Sequence, residues 1–150
     1  IVKRGINSKR LVFGERLNRP EYLARYRVAD LFLDTQPYNA GTTASDALRM
    51  GLPMLTLIGK AYQARMGASI VNALNLPELI TNTPEEYESL AIELATNPGK
   101  LKAIKDKLAN NLSTAPLYDT KLFAKNLESA YTQMYERHHK GLKPDHIYVE

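Results

Sequence analysis

The run Pro37-Tyr-Asn-Ala-Gly-Thr-Thr-Ala-Ser-Asp46 combines the residue types that hold a phosphate. It follows an apolar run, Leu31-Phe-Leu-Asp-Thr35, whose Leu, Phe and Leu read as a buried strand. It precedes Ala44 to Met50, which reads as a short helix ended by Gly51. A strand, a Gly-containing turn and a helix start leave the N–H groups of the first helical turn pointing outward, where the helix dipole favours an anion. Gly41 removes a Cβ at the tightest point, so backbone can approach a ligand closely. Thr42 and Thr43 add hydroxyl donors, and either can cap the helix.

A second reading of the same residues is purely structural. Thr43-x-x-Asp46 fits a capping box, in which each side chain satisfies the other's backbone N–H, and such a helix start binds nothing. The place of the turn after an apolar strand favours the ligand reading, because ligands of open α/β sheets sit at the carboxyl ends of strands. Both readings stand on pattern alone. Asp34 has a similar pair of readings: a ligand to the turn, or an acceptor for neighbouring backbone, the second being the commoner use of such a residue.

The elements that position this turn follow from periodicity. Arg10-Leu-Val-Phe-Gly14 reads as a first strand, Glu15 to Arg19 as the loop at its carboxyl end, and Pro20 as the opening of a helix running to about Ala29. Pro53 to Ile58 reads as a further buried strand, Gln63 to Leu74 as a helix, and Leu79-Ile80 as a short edge strand. Alternating strand and helix implies parallel pairing with crossover helices, a partial doubly wound, Rossmann-like α/β unit over residues 1–82. Residues 83–150 read as helices packed on it. Thr83-Pro84-Glu85-Glu86 is a capped start, Asn97-Pro98 a stop and restart, and Pro116 a break. The last helix begins at Asp119 or Thr120, carries Phe123, Leu127, Ala130, Tyr131 and Met134 on one inward face, and ends before Gly141. So few strands, and a first residue that is Ile, suggest the C-terminal part of a larger chain; a processed or tagged full protein is the second reading.

Composition narrows the classes. The net charge of +4 is concentrated in residues 1–60, with ten Lys or Arg against five Asp or Glu, around the proposed phosphate turn. That suits an anionic small ligand, and no basic run or nucleic-acid module is present. Zero Cys excludes disulfides and thiolate chemistry, and His138, His139 and His146 are not spaced as metal ligands. No bilayer-length apolar run or signal-peptide pattern appears, which fits a cytoplasmic protein with no membrane partner. There is no Walker loop, no Gly-x-Ser-x-Gly and no dinucleotide fingerprint.

Arg10-Leu-Val-Phe, Ala29-Asp-Leu-Phe-Leu-Asp-Thr35, Asn39-Ala-Gly-Thr-Thr-Ala-Ser-Asp46 and Gly51-Leu-Pro-Met-Leu-Thr56 resemble the C-terminal catalytic lobe of protein O-GlcNAc transferases and their Spindly-like relatives. The likeness continues through Ala64-Arg-Met-Gly-Ala-Ser69, Ser113-Thr-Ala-Pro-Leu-Tyr118 and Gly141-Leu-Lys-Pro-Asp-His146, nearly the whole chain in one register. It implies a GT-B fold of two Rossmann-like lobes, usually behind tetratricopeptide repeats. It also implies a nucleotide-sugar donor such as UDP-N-acetylglucosamine, a polypeptide Ser or Thr acceptor, and no metal or other cofactor. The diphosphate would fall on Thr42 and Thr43, with Gly41 a further substrate-binding position in the same turn, the ribose on Asp46, and base and ribose contacts on Leu17, Arg19, Tyr22 and Arg25. The phosphate-clamping Lys of the family and the other lobe would lie upstream. Animal members have Lys, His and His where Arg19, Tyr22 and Gly41 stand. These departures leave open a GDP-fucose donor, a non-protein acceptor or an inactive scaffold.

Overall fold

The computed structural model describes residues 2–149. Its centre is a parallel sheet in the order β1-β2-β3, formed by Phe32–Leu33, Met54–Leu57 and Ile80–Thr81. Phe32 and Leu33 stand opposite Met54 and Leu55; Thr56 and Leu57 stand opposite Ile80 and Thr81. Helices α2 (Thr42–Arg49) and α3 (Met66–Ala73) supply the crossovers that parallel strands require. Ahead of the sheet lies α1 (Arg19–Arg25), and behind it come α4 (Pro84–Thr96), α5 (Pro98–Asn111) and α6 (Thr120–His139). This is the mixed, parallel-sheet architecture expected from the alternating pattern, followed by helices.

Apolar residues of both halves share one core. Ala44 and Leu48 of α2, Met54 of β2, and Val71 and Leu74 at α3 pack with Leu94 of α4 and with Ile104 and Leu108 of α5. Removing that apolar area from water is the main favourable term, and it holds α2 in place behind the turn. Local signals set the ends of the elements. Gly51 has φ +82°, and Leu52 donates its N–H to the Ala47 carbonyl, a left-handed stop after α2. Thr83 Oγ1 accepts from the Glu86 N–H, while Glu86 reaches back to the N–H of Asn82.

Three expectations fail. Residues 10–14 form no strand: Val12 and Phe13 are 85% and 83% exposed, and β1 pairs only with β2. An apolar run becomes a strand only when a neighbouring strand takes its backbone groups, and among the described residues none does. For the same reason β1 is only half-buried, with Leu33 turned outward. The face of α6 carrying Phe123, Leu127, Tyr131 and Met134 is not core; no residue of that helix is buried. Its amphipathic spacing is real, but spacing specifies a surface to be covered, not what covers it. Among the described residues no helix is long and apolar enough to cross a membrane.

Candidate functional site

The chain leaves β1 at Asp34, turns from Thr35 to Ala40, and enters α2 through Gly41. Asp34 organises the turn. Its Oδ1 accepts from the N–H groups of Thr35 (2.9 Å) and Ala40 (2.8 Å), and its Oδ2 accepts from Thr56 Oγ1 on β2 (2.7 Å). Asn39 adds a bond from Nδ2 to the Thr35 carbonyl at 2.9 Å, and Thr35 Oγ1 donates to the Tyr38 carbonyl at 2.7 Å. The commoner of the two readings of Asp34, a bond to neighbouring backbone, is what the structure shows.

The start of α2 is not a capping box. The N-cap is Gly41, and no side chain caps the helix. The first bond of the helix runs from the Ser45 N–H to the Gly41 carbonyl, so Thr42, Thr43 and Ala44 carry the first-turn N–H groups that a helix leaves unsatisfied. Thr43 therefore lies inside the helix rather than at its cap, and Asp46 is turned to another use. Asp46 Oδ1 accepts from Arg19 Nη2 at 3.0 Å, and its buried Oδ2 has no hydrogen-bond partner among the described residues. Thr42 and Thr43 are exposed. Gly41 has φ −108°, and an added Cβ would meet only Met66 Cγ at 3.9 Å. Glycine at this point leaves open space beside the helix start; the fold itself does not demand it.

The other proposed residues gather around this start. Asn18 caps α1 by accepting from the Glu21 N–H at 3.1 Å, which places Arg19 at the first helical position, facing Asp46. Tyr22, one turn on, has Arg19 and Arg25 guanidinium carbons 6.0 and 5.8 Å from its ring centroid. Arg25 also donates to the Glu15 carbonyl at 2.9 Å, tying down the loop that contains Leu17. Leu17 is 38% exposed, in the loop ahead of α1. The structure thus unites Arg19, Tyr22, Arg25, Gly41, Thr42, Thr43 and Asp46, and leaves Leu17 at the margin.

Several tyrosines complete the surroundings without having been anticipated. Tyr26 OH lies 2.5 Å from Tyr22 OH and 3.4 Å from the Thr43 carbonyl, to which it donates. Burial, and then the Tyr22 phenol bonded to it, push the Tyr26 phenol far above its usual range, so it stays a donor. Tyr118 donates to the Ser45 carbonyl at 2.8 Å, with the Arg49 guanidinium 5.5 Å from its ring centroid. Burial raises its pKa too. Tyr87 donates to the Asp34 carbonyl at 2.9 Å; burial, then the Asp34 charge, push it up to about 12. Tyr26 was findable, standing one helical turn after Tyr22. Tyr118 lies 73 residues from its partner, and nothing local announces it. A recess of about 280 Å³ borders Gly41 and Thr42, walled by Tyr38, Asn39, Tyr62, Gln63 and Met66. Among the described residues no group of three or more His, Cys, Asp or Glu side chains gathers as a metal-binding set.

The fold is one that known proteins share. The structure superposes on a solved Thermobaculum terrenum O-GlcNAc transferase mutant with a TM-score of 0.83 at 34% identity, covering 89% of this chain and 26% of that one. This is the α/β architecture of a GT-B catalytic lobe. Residues 1–127 match the model of glycosyl transferase family 41, and the chain belongs to that family of glycosyltransferases. The chain is 36% identical over 146 residues to the probable UDP-N-acetylglucosamine–peptide N-acetylglucosaminyltransferase SEC of Arabidopsis thaliana. It is 34% identical over 146 residues to the UDP-N-acetylglucosamine–peptide N-acetylglucosaminyltransferase of Caenorhabditis elegans. Each alignment takes in 97% of this chain but only 15% and 13% of those proteins.

Proposed function

We propose that these residues form the donor-binding portion of a protein glycosyltransferase that moves a sugar, N-acetylglucosamine from a UDP donor, onto Ser or Thr hydroxyls. The observation that carries the reading is the uncapped start of α2, flanked by the Arg19–Asp46 pair. First-turn N–H groups and the hydroxyls of Thr42 and Thr43 would take the diphosphate, as helix starts do. Asp46 would accept from ribose hydroxyls. Arg19 and Arg25 would add positive charge beside Tyr22, whose ring offers a face to the nucleobase. The recess beside Gly41 and Thr42 gives the sugar a place next to the diphosphate.

The role of these groups in transfer is electrostatic. As the acceptor hydroxyl attacks the anomeric carbon and gives up its proton to solvent or to a base outside these residues, the bond to the diphosphate breaks and negative charge grows on the leaving oxygen. Donors fixed in advance around that oxygen stabilise the transition state more than the ground state. No metal enters this proposal. The acceptor groove, the remaining lobe and any tetratricopeptide repeats belong to the full-length protein.

The test is a transfer assay with the full-length protein, offering UDP-N-acetylglucosamine and GDP-fucose separately with Ser/Thr peptides. Sugar-modified peptide from the UDP donor is expected. Modification from GDP-fucose alone would replace the donor assignment, and donor binding without transfer to any peptide would favour a non-protein acceptor. Failure to bind either donor would make the fold a scaffold.

A further inference from the structure

A carboxylate at the base of an anion-binding turn is an electrostatic liability. Asp34 is 6% exposed, and its charge would oppose the diphosphate rather than attract it. Burying a carboxylate is also costly unless hydrogen bonds compensate. What Asp34 supplies is geometry. One oxygen accepts from both ends of the turn, Thr35 and Ala40, while the other is held by Thr56 Oγ1 on the central strand. Its carbonyl is held in turn by Tyr87 of α4. On the far side the backbone of Gly67 in α3 closes in, so that a Cβ there would lie 2.5 Å from Thr56 Oγ1 and nearer still to Asp34 Oδ2. The side chain thus has one place to be, fixed from β2 and α3, while α4 holds the backbone of the same residue.

We propose that Asp34 is the positioning residue of the phosphate turn: braced by Thr56 and Gly67, it fixes the backbone from Thr35 to Ala40 and thereby the direction in which Gly41, Thr42 and Thr43 present their donors. The proposal rests on the donor-binding reading above and extends it from the groups that touch the donor to the group that aims them. No charge on Asp34 is needed for this; an oxygen that accepts two N–H groups is.

The experiment compares D34N and D34A in the full-length protein, titrated calorimetrically with UDP and with inorganic pyrophosphate, with thermal melts alongside. In D34N one oxygen still accepts from Thr35 and Ala40, but the new amide forces Thr56 to accept rather than donate. D34N is expected to melt lower yet bind both probes within about threefold of wild type, because the turn is kept. D34A loses the turn contacts and is expected to bind both probes at least about tenfold more weakly. Wild-type affinity in D34A would overturn the proposal. If D34A does not fold, D34N decides: a tenfold loss for both probes means that charge, not placement, is at work and overturns the proposal. A wild-type protein that binds neither UDP nor pyrophosphate would instead overturn the donor-site reading itself, a result distinct from unequal variants of a protein that binds.

Discussion

Arg19 Nη2 stands 3.0 Å from Asp46 Oδ1, joining the first residue of α1 to the second turn of α2. The Arg side chain is 64% exposed and the Asp side chain 12%, so the carboxylate sits in the fold while the guanidinium faces water. An ion pair that open to water contributes less than about 1 kcal/mol to stability. Its interest lies in what both groups face: the same helix start.

Replacing Asp46 with Asn keeps the shape and removes the charge. If Asp46 accepts from ribose hydroxyls, D46N weakens UDP binding by about tenfold while leaving inorganic pyrophosphate within about twofold. Calorimetric titration of the full-length protein with both ligands reads this split. Equal losses for UDP and pyrophosphate would mean that Asp46 acts through its bond to Arg19 rather than on the ribose.

Gly67 and Gly41 are predicted to behave oppositely on substitution by Ala. At Gly67 the new Cβ collides with the Asp34–Thr56 pair, and overpacking at such a site costs about 1–3 kcal/mol. At Gly41 the only neighbour is Met66 Cγ, at ordinary contact distance, so the loss stays below about 1 kcal/mol. Urea unfolding of the two variants gives the comparison. A G67A protein as stable as wild type would mean that the packing around Asp34 is loose.

Tyr87 gives a pH dependence with a definite sign. Its folded pKa, about 12, lies above the ordinary value of 10, so the phenol stabilises the fold fully below about pH 10 and progressively less as pH rises toward 12. Tyr87→Phe loses the bond to the Asp34 carbonyl, about 1 kcal/mol at neutral pH. The stability gap between wild type and Y87F should therefore close between about pH 10 and pH 12. A gap that stays constant over that window would mean that the phenol does not titrate with folding.

Metal removal should have no effect on turnover. The proposed leaving-group stabilisation uses N–H groups, hydroxyls and guanidinium groups, and no carboxylate or imidazole set stands ready for a cation among the described residues. Transfer by the full-length protein in excess EDTA is expected at the untreated rate. Loss of turnover restored by Mg²⁺ or Mn²⁺ would contradict this.

Sequence pattern revealed the parallel α/β architecture because its signals are local: alternating apolar runs and helical spacings, Gly51 at a left-handed stop, Thr83 before Pro84. It misplaced what depends on distant partners. Among the described residues, Leu11, Val12 and Phe13 have the composition of a strand but no strand beside them, and the α6 stripe has the spacing of a core helix but stays largely exposed. At the site, the nearness of Gly41, Thr42 and Thr43 was legible because they adjoin in sequence. The Arg19–Asp46 pair spans 27 residues and the Tyr118–Ser45 bond 73, and neither leaves a local trace. The capping box failed because its pattern fixes which residues could bond, whereas the backbone at Gly41 decides where the helix begins.

In the proposed mode of binding, the uncapped start of α2 takes the donor's diphosphate. Because neither Thr42 nor Thr43 caps the helix, replacing both with Ala should move stability by no more than about 0.5 kcal/mol per site. Losing hydroxyl bonds to a charged phosphate costs about 1.5–3 kcal/mol each, about ten- to a hundred-fold in affinity. The decisive measurement is the dissociation constant of UDP for the full-length wild type and its T42A and T43A variants, with melting temperatures taken on the same samples. Unchanged melts and at least about tenfold weaker UDP binding are expected. Unchanged UDP affinity in both variants would contradict that mode of binding.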